Sequence, residues 1–217
     1  MVEYAVARAN MVENQLRPNR IDDARVLRAM GEIPRELFVP KALRGCAYGD
    51  EDLDLGQGKF LIEPLALGKL LQAAEPRPND VALVIGDATG YAAAILSRLA
   101  ATVFLLVPPG SAPEATEALL GGLGCDNVVQ QPGEAAQGHP AQAPFDLILV
   151  AGSVPAIPPP LLDQLADQGR LAAVVEHGRS GKVTVARKVN GAVGRLTPFD
   201  ARIFRLPGLP VETGFRF

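Results

Sequence analysis

The spacing of hydrophobic positions changes twice along the chain and divides it into three stretches. Up to about residue 63, apolar residues recur at helical spacing between breakers. Val2 to Leu16 reads as a polar helical arm that stops at Arg17-Pro18-Asn19, because proline disfavours helix in the residue before it. Asp22 or Asp23 can cap a second helix, whose Ala24, Val26, Leu27, Met30 and Ile33 form one apolar stripe. Between two prolines, PRELFVP (34–40) predicts a helical turn with Leu37, Phe38 and Val39 as core contacts. The next segment, AYGDEDLDLGQGKFLIEP (47–64), is acidic, rich in glycine and without a period, so it reads as loop.

From Pro64 onward, short continuous apolar runs alternate with helical stripes. Val81–Ile85, Thr102–Val107, Asn127–Gln131, Asp146–Val150 and Arg170–Glu176 read as strands, most of them buried on both faces. Helices are expected over Leu65–Glu75, from Gly90 through Leu99, over Pro113–Leu123 and within Ile157–Ala166. The third stretch alternates residue by residue: KVTVARKV (182–189) and Phe199–Leu206 predict a half-exposed antiparallel hairpin joined to the end of the sheet. The fold class is thus α/β, a doubly wound, mostly parallel sheet with antiparallel C-terminal strands. Residues 1–63 form a helical arm and loop, and residues 64–217 form the sheet domain as a single compact unit.

Composition narrows the function classes. With 217 residues, 48% hydrophobic content and a formal net charge of -3, the chain can bury a proper core and carries no basic cluster. Nucleic acid and anionic membrane are therefore not expected as partners. Apolar runs stay shorter than the roughly 18 residues of a spanning helix, and Glu3, Arg8 and Asn10 interrupt the start, so a cytoplasmic location is expected. Cys46 and Cys125 lie far apart without CxxC or Cys/His spacing, which indicates neither a disulfide nor a metal site and reads as two buried thiols. His139 and His177 read as surface or loop residues.

The chemistry concentrates in VALVIGDATGYAA (81–93). A buried strand stops in a loop bracketed by Gly86 and Gly90 and turns at once into a helix. In an open parallel sheet, ligands collect at the carboxyl ends of the central strands, so a nucleotide-type ligand is expected there. Asp87 or Thr89 can cap the helix that follows.

Around this loop, PRELFVP (34–40), AYGDEDLDLGQGKFLIEP (47–64), ALVIGDATGYAAAILSRLA (82–100), LGCDNV (123–128), GEAAQG (133–138), APFDLILVAG (143–152) and IPPPLLDQLADQGRL (157–171) follow one another. In sequence and spacing they resemble the protein-L-isoaspartate O-methyltransferase family of the Rossmann-like class I methyltransferases. The resemblance implies S-adenosylmethionine as cofactor, methyl transfer to a carboxylate of damaged protein, and a protein or peptide substrate. It places the cofactor at Gly86, Asp87, Ala88, Gly90, Val107 and Glu134, and the substrate at Phe60, Leu61, Ile62 and Glu63. A carboxylate is already ionised near neutral pH, so alignment and exclusion of water do the work and no catalytic side chain is expected.

Four positions depart from the family pattern. Val84 and Val107 stand where the family has acids, Ala88 where it has a second glycine, and Ile62 where it has a serine hydroxyl. The strand-end acid accepts from the ribose hydroxyls in such folds, and each charge-assisted hydrogen bond is worth roughly 1.5–3 kcal/mol. The expected outcome is a methyltransferase-like protein with weak or lost isoaspartyl activity. The alternative is a noncatalytic member that keeps the fold as a binding or interaction scaffold.

Overall fold

The computed structural model describes residues 3–111, 114–178 and 180–209. In chain order, helices α1 (Tyr4–Asn10) and α2 (Ala24–Glu32) precede a small hairpin of β1 (Leu53–Gly56) and β2 (Lys59–Leu61). Next come α3 (Pro64–Ala74), β3 (Val81–Ile85), α4 (Tyr91–Leu96), β4 (Thr102–Val107), α5 (Glu114–Gly122) and β5 (Val128–Pro132). The chain continues through β6 (Phe145–Val154), α6 (Pro159–Asp163), β7 (Leu165–His177), β8 (Ser180–Val189) and β9 (Ala192–Asp200). One seven-stranded sheet has the order β5-β4-β3-β6-β7-β8-β9. It is parallel from β5 to β7 and antiparallel from β7 to β9.

The interior strands read as continuous apolar runs because both faces of the sheet are covered. Along β3, Ala82 and Val84 enter one core with residues of α2, α3 and α4, whereas Leu83 and Ile85 enter the other with Leu161 of α6. Leu147 and Leu149 of β6 repeat the first choice, and Ile148 and Val150 the second. The N-terminal arm joins the first core through Met11, Val12 and Leu16, and a methyl group placed on Gly68 of α3 would already touch Leu16 and Ile21 at 3.4 Å.

The sheet order puts β3 inside, flanked by β4 and β6, in agreement with its apolar pattern. Between β3 and β6 the chain reverses its direction of travel across the sheet, so their carboxyl ends bound the crevice where such folds bind ligands.

Several local expectations are corrected. The segment 47–64 is not all loop: β1 and β2 pair within it around the turn at Gln57-Gly58. The arm changes from α-helix to π-helix over Met11–Leu16, and α4 ends at Leu96, followed by tighter turns from Arg98 to Ile95 and Leu99 to Leu96. In the PRELFVP turn, Arg35 and Glu36 are buried and Leu37 is exposed. Cys46 is exposed, and only Cys125 is a buried thiol. The second arm of the C-terminal hairpin is Ala192–Asp200, not Phe199–Leu206. Residues 201–206 instead leave the sheet's edge and cross its carboxyl end. Val2 and Pro113, assigned to helices by pattern, lie outside the described residues.

Candidate functional site at the carboxyl end of the sheet

The loop after β3 is held by its own aspartate. Asp87 Oδ1 accepts from the Thr89 amide at 3.2 Å, the Thr89 hydroxyl at 3.0 Å and the Gly90 amide at 2.9 Å, while Oδ2 accepts from the Ala93 amide at 3.0 Å. Thr89 Oγ1 in turn accepts from the Tyr91 amide. Both residues are buried and cap the loop and the first turn of α4, which satisfies amides that helix geometry leaves without partners. Asp87 is therefore committed to the backbone.

The other positions expected on the cofactor side lie along the ends of adjacent strands. Val107 ends β4 beside Pro132 of β5, and its carbonyl accepts from Gly133 at 2.9 Å. Glu134 follows in a turn whose carbonyl accepts from Gln137 and Gly138, with its side chain exposed. Ala88 is exposed, and Val84 is fully buried in the core beneath. Gly86, Asp87, Ala88, Gly90, Val107 and Glu134 thus share one edge, formed by β3, β4 and β5.

The crevice between β3 and β6 is filled by the chain itself. Ser153, near the end of β6, donates its amide to Phe204 O at 2.8 Å and accepts from Leu206 N at 3.0 Å, which zips residues 204–206 alongside the strand. The Leu206 side chain drops between Gly86 and Gly152. A methyl group on Gly152 would lie 2.5 Å from Leu206 Cγ, and one on Gly86 would lie 2.8 Å from Cδ1 and closer still to Cδ2. Only glycine permits this approach on both strands, and Gly86 also has φ +81°. Burying a leucine stabilises by about 1.5–3 kcal/mol, a bias of roughly ten- to a hundredfold towards the closed arrangement. In this conformation the crevice does not fit an adenosylmethionine: a leucine stands in it, and the strand-end position that would face the ribose is a valine.

Of the residues expected on the substrate side, Phe60 and Glu63 connect to that strap, Phe60 directly and Glu63 through Asp52. Phe60 stacks on Phe204, ring centroids 4.8 Å apart and 15° from parallel. Leu61 and Ile62 are buried in the core, and the Ile62 carbonyl accepts from Arg35 Nη2 at 2.6 Å. The amide of Glu63 donates to Asp52 Oδ1 at 2.8 Å, while Asp52 Oδ2 accepts from the amide of Phe204 at 2.6 Å. One carboxylate therefore ties the hairpin side to the strap. Burial pushes the Asp52 carboxyl up, against its two amide bonds and the Arg35 charge. Burial, together with the Asp52 and Asp50 charges, pushes Glu63 up to about 7.

Sequence reasoning missed the strap residues Phe204 and Leu206, the tie Asp52, and the buried Arg35, whose guanidinium lies 4.9 Å from the Tyr91 ring centroid and donates to Ala47 O. Leu206 carried no signal in one sequence, since a leucine in a tail reads as ordinary packing. Arg35 could have been suspected from its place, with Glu36, between Pro34 and the apolar triplet Leu37-Phe38-Val39. Among the described residues no group of three His, Cys, Asp or Glu side chains could hold a metal, and no helix is long and apolar enough to cross a membrane.

A parallel sheet extended by two antiparallel strands, with a glycine-bracketed loop at its central carboxyl edge, is the Rossmann-like architecture of the class I methyltransferases. Two solved structures share the fold with TM-scores of 0.77. One is a protein-L-isoaspartate O-methyltransferase, 23% identical over 93% of this chain and 66% of its own. The other, from Plasmodium falciparum in complex with S-adenosyl-L-homocysteine, is 20% identical over 92% of this chain and 97% of its own. The sequence model of the protein-L-isoaspartate(D-aspartate) O-methyltransferase family matches residues 7–200. Proteins named protein-L-isoaspartate O-methyltransferase from Koribacter versatilis and Methylorubrum extorquens are 38% and 42% identical. The alignments cover 94% and 93% of this chain and 92% and 86% of theirs. The chain belongs to the protein-L-isoaspartate O-methyltransferase family, whose cofactor is S-adenosylmethionine and whose substrates are carboxylates of proteins.

Proposed function

We propose that this chain is an S-adenosylmethionine-dependent protein carboxyl O-methyltransferase whose activity on isoaspartyl residues is weak or lost. Family membership supports the reaction class, and the Plasmodium falciparum complex with S-adenosyl-L-homocysteine supports the cofactor. The observation that carries the weakened activity is the apolar character of the edge. Val84 and Ile62 are buried hydrocarbon, Val107 ends β4, and the loop's one carboxylate, Asp87, is spent on four bonds within its own segment. Alignment of two bound reactants is the main source of rate in such a transfer, and both lose polar partners here.

Cofactor binding falls on Gly86, Asp87, Ala88, Gly90, Val107 and Glu134 in this reading, with Asp87 acting through the shape of the loop. Phe60, Leu61, Ile62 and Glu63 line the substrate side, the acceptor is a protein or peptide carboxylate, and the protein works in the cytoplasm without nucleic acid or membrane. The filled crevice favours a second reading, a noncatalytic scaffold.

Transfer of labelled methyl to an isoaspartyl peptide, paired with calorimetric titration of S-adenosyl-L-homocysteine, tests both. Turnover on the order of one per second would overturn the weak-activity reading. Binding with little or no turnover supports it, and absence of both leaves the scaffold.

A further inference from the structure

We propose that the C-terminal strap Ile203–Leu206 is an internal competitor of the cofactor: Leu206 occupies the crevice between Gly86 and Gly152, and the strap must lift before S-adenosylmethionine enters. The proposal rests on the reading that this edge is the cofactor site. It adds that the protein's own chain controls access to that site, and that the substrate side opens in the same movement.

Five attachments hold the strap, and they differ in kind: Ile203 is packed into the first core and anchors its start. The strap backbone is zipped to Ser153 by two hydrogen bonds, Asp52 accepts from Phe204 N, Arg205 reaches Glu176 at 3.0 Å, and the rings of Phe204 and Phe60 stack. Leu206 is 4% exposed, so its side chain is seated in the crevice rather than resting on its rim. No element of the sheet depends on this seat. Strand β9 ends at Asp200, before the strap begins, and 204–206 meet the sheet through a single isolated bridge at Ser153. Lifting Phe204–Leu206 about the anchored Ile203 therefore breaks the other contacts and leaves the seven-stranded sheet intact.

The coupling to the substrate side follows from the same residues. Phe60 lies at the first position of the substrate word, and its stacking partner is two residues from the plug. A strap that rises with Leu206 withdraws Phe204 from Phe60 and Asp52, so the two reactant subsites open together. When the competent state is only a fraction of the population, apparent affinity falls by that fraction.

The test uses the full chain and S-adenosyl-L-homocysteine as probe. Leu206→Ala removes the plug and leaves the backbone zip; calorimetry on the folded variant, checked by circular dichroism, should show binding about tenfold tighter or more than wild type. The chain has no tryptophan, so Phe204→Trp supplies a single reporter on the strap. Saturation with the probe should red-shift its emission and increase quenching by acrylamide, as expected of a ring withdrawn from its stack. Equal or weaker binding by Leu206→Ala overturns the competition, and so does probe binding that leaves the emission unchanged. If neither wild type nor Leu206→Ala binds the probe, the cofactor reading fails and the proposal fails with it; if both bind equally, the cofactor reading stands and the proposal alone falls.

Discussion

The two ends of the central strands are closed in opposite ways. At the amino end, Arg170 of β7 is 1% exposed and its guanidinium forms a bidentate pair with Asp80, just before β3. Its remaining donors reach the carbonyls of Ala74 at 2.7 Å, Glu75 at 2.6 Å and Asp146 at 3.0 Å, and Asp80 also accepts from Arg77 N. At the carboxyl end the one buried loop carboxylate holds only its own turn, and closure comes from Leu206, a stacked pair of phenylalanines, a few backbone hydrogen bonds and the solvent-accessible Arg205–Glu176 pair. A buried ion pair with every donor satisfied resists opening, because separating it exposes uncompensated charge to a low-dielectric interior. Apolar contact with a few exchangeable hydrogen bonds opens at modest cost. The fold thus puts its rigid fastening on the side away from the candidate site.

The largest expected effect lies at the rigid end. Arg170→Ala leaves the Asp80 carboxylate buried without its partner and three carbonyls without a donor, and should destabilise by about 3–5 kcal/mol in urea unfolding. Arg170→Met combined with Asp80→Asn removes both charges and should recover part of that loss. A single substitution as mild as an exposed one would show that the amino end is not the fastening described.

Next in size are changes at the open end. Val107→Glu restores an acid at the end of β4 and should tighten S-adenosyl-L-homocysteine by roughly ten- to a hundredfold, the worth of one charge-assisted hydrogen bond of about 1.5–3 kcal/mol. Unchanged affinity would mean that the ribose does not lie at that strand end. Asp87→Ala should cost about 1–3 kcal/mol of stability in the absence of any ligand, since it leaves buried amides of the loop without an acceptor. No loss of stability would mean that Asp87 is free for a ligand after all.

The contrast between the ends also explains what could be read from the sequence. The strands of the parallel sheet were legible because burial on both faces imposes an uninterrupted apolar run, as in VALVI and DLILV; the alternation in KVTVARKV marked β8 as an antiparallel strand but not its burial, since Val183–Ala186 are buried on both faces rather than half-exposed. The loop Gly86–Gly90 was legible because positive φ at both glycines restricts the residue type. By contrast, the hairpin β1–β2 is four and three residues long, too short to show a period, and Phe199–Leu206 alternates like a strand although its far end pairs only once. Leu206 and Asp52 act through contacts with residues distant in the chain, Gly86 and Gly152 for the one and Phe204 for the other, which local spacing does not encode. Arg170 looked like the polar start of a strand, with nothing nearby to announce a partner ninety residues earlier.

The smallest expected effect concerns Glu63, whose amide is held by Asp52 and whose carboxyl is sensitive to pH. Burial and the Asp52 and Asp50 charges raise its folded-state pKa from 4.5 to about 7. An acid raised in this way holds its proton more tightly when folded. Its stabilising contribution is therefore full below about pH 4.5 and is lost as pH climbs through about 7. Asp52 is shifted in the same direction, so the wild type keeps some dependence of the same sign from that group. Glu63→Gln replaces the protonated form with a neutral side chain of equal size, and should match wild type near pH 4. The variant should then become progressively more stable than wild type between about pH 4.5 and 7, and the gap should level off above that window. Glu63 is only half-buried, so solvent screens part of the effect and the gap should be on the order of a few degrees in Tm. Thermal unfolding of both proteins across pH 4 to about 8.5 reads it directly. A gap that stays constant with pH would assign the difference to packing and remove Glu63 ionisation as its source.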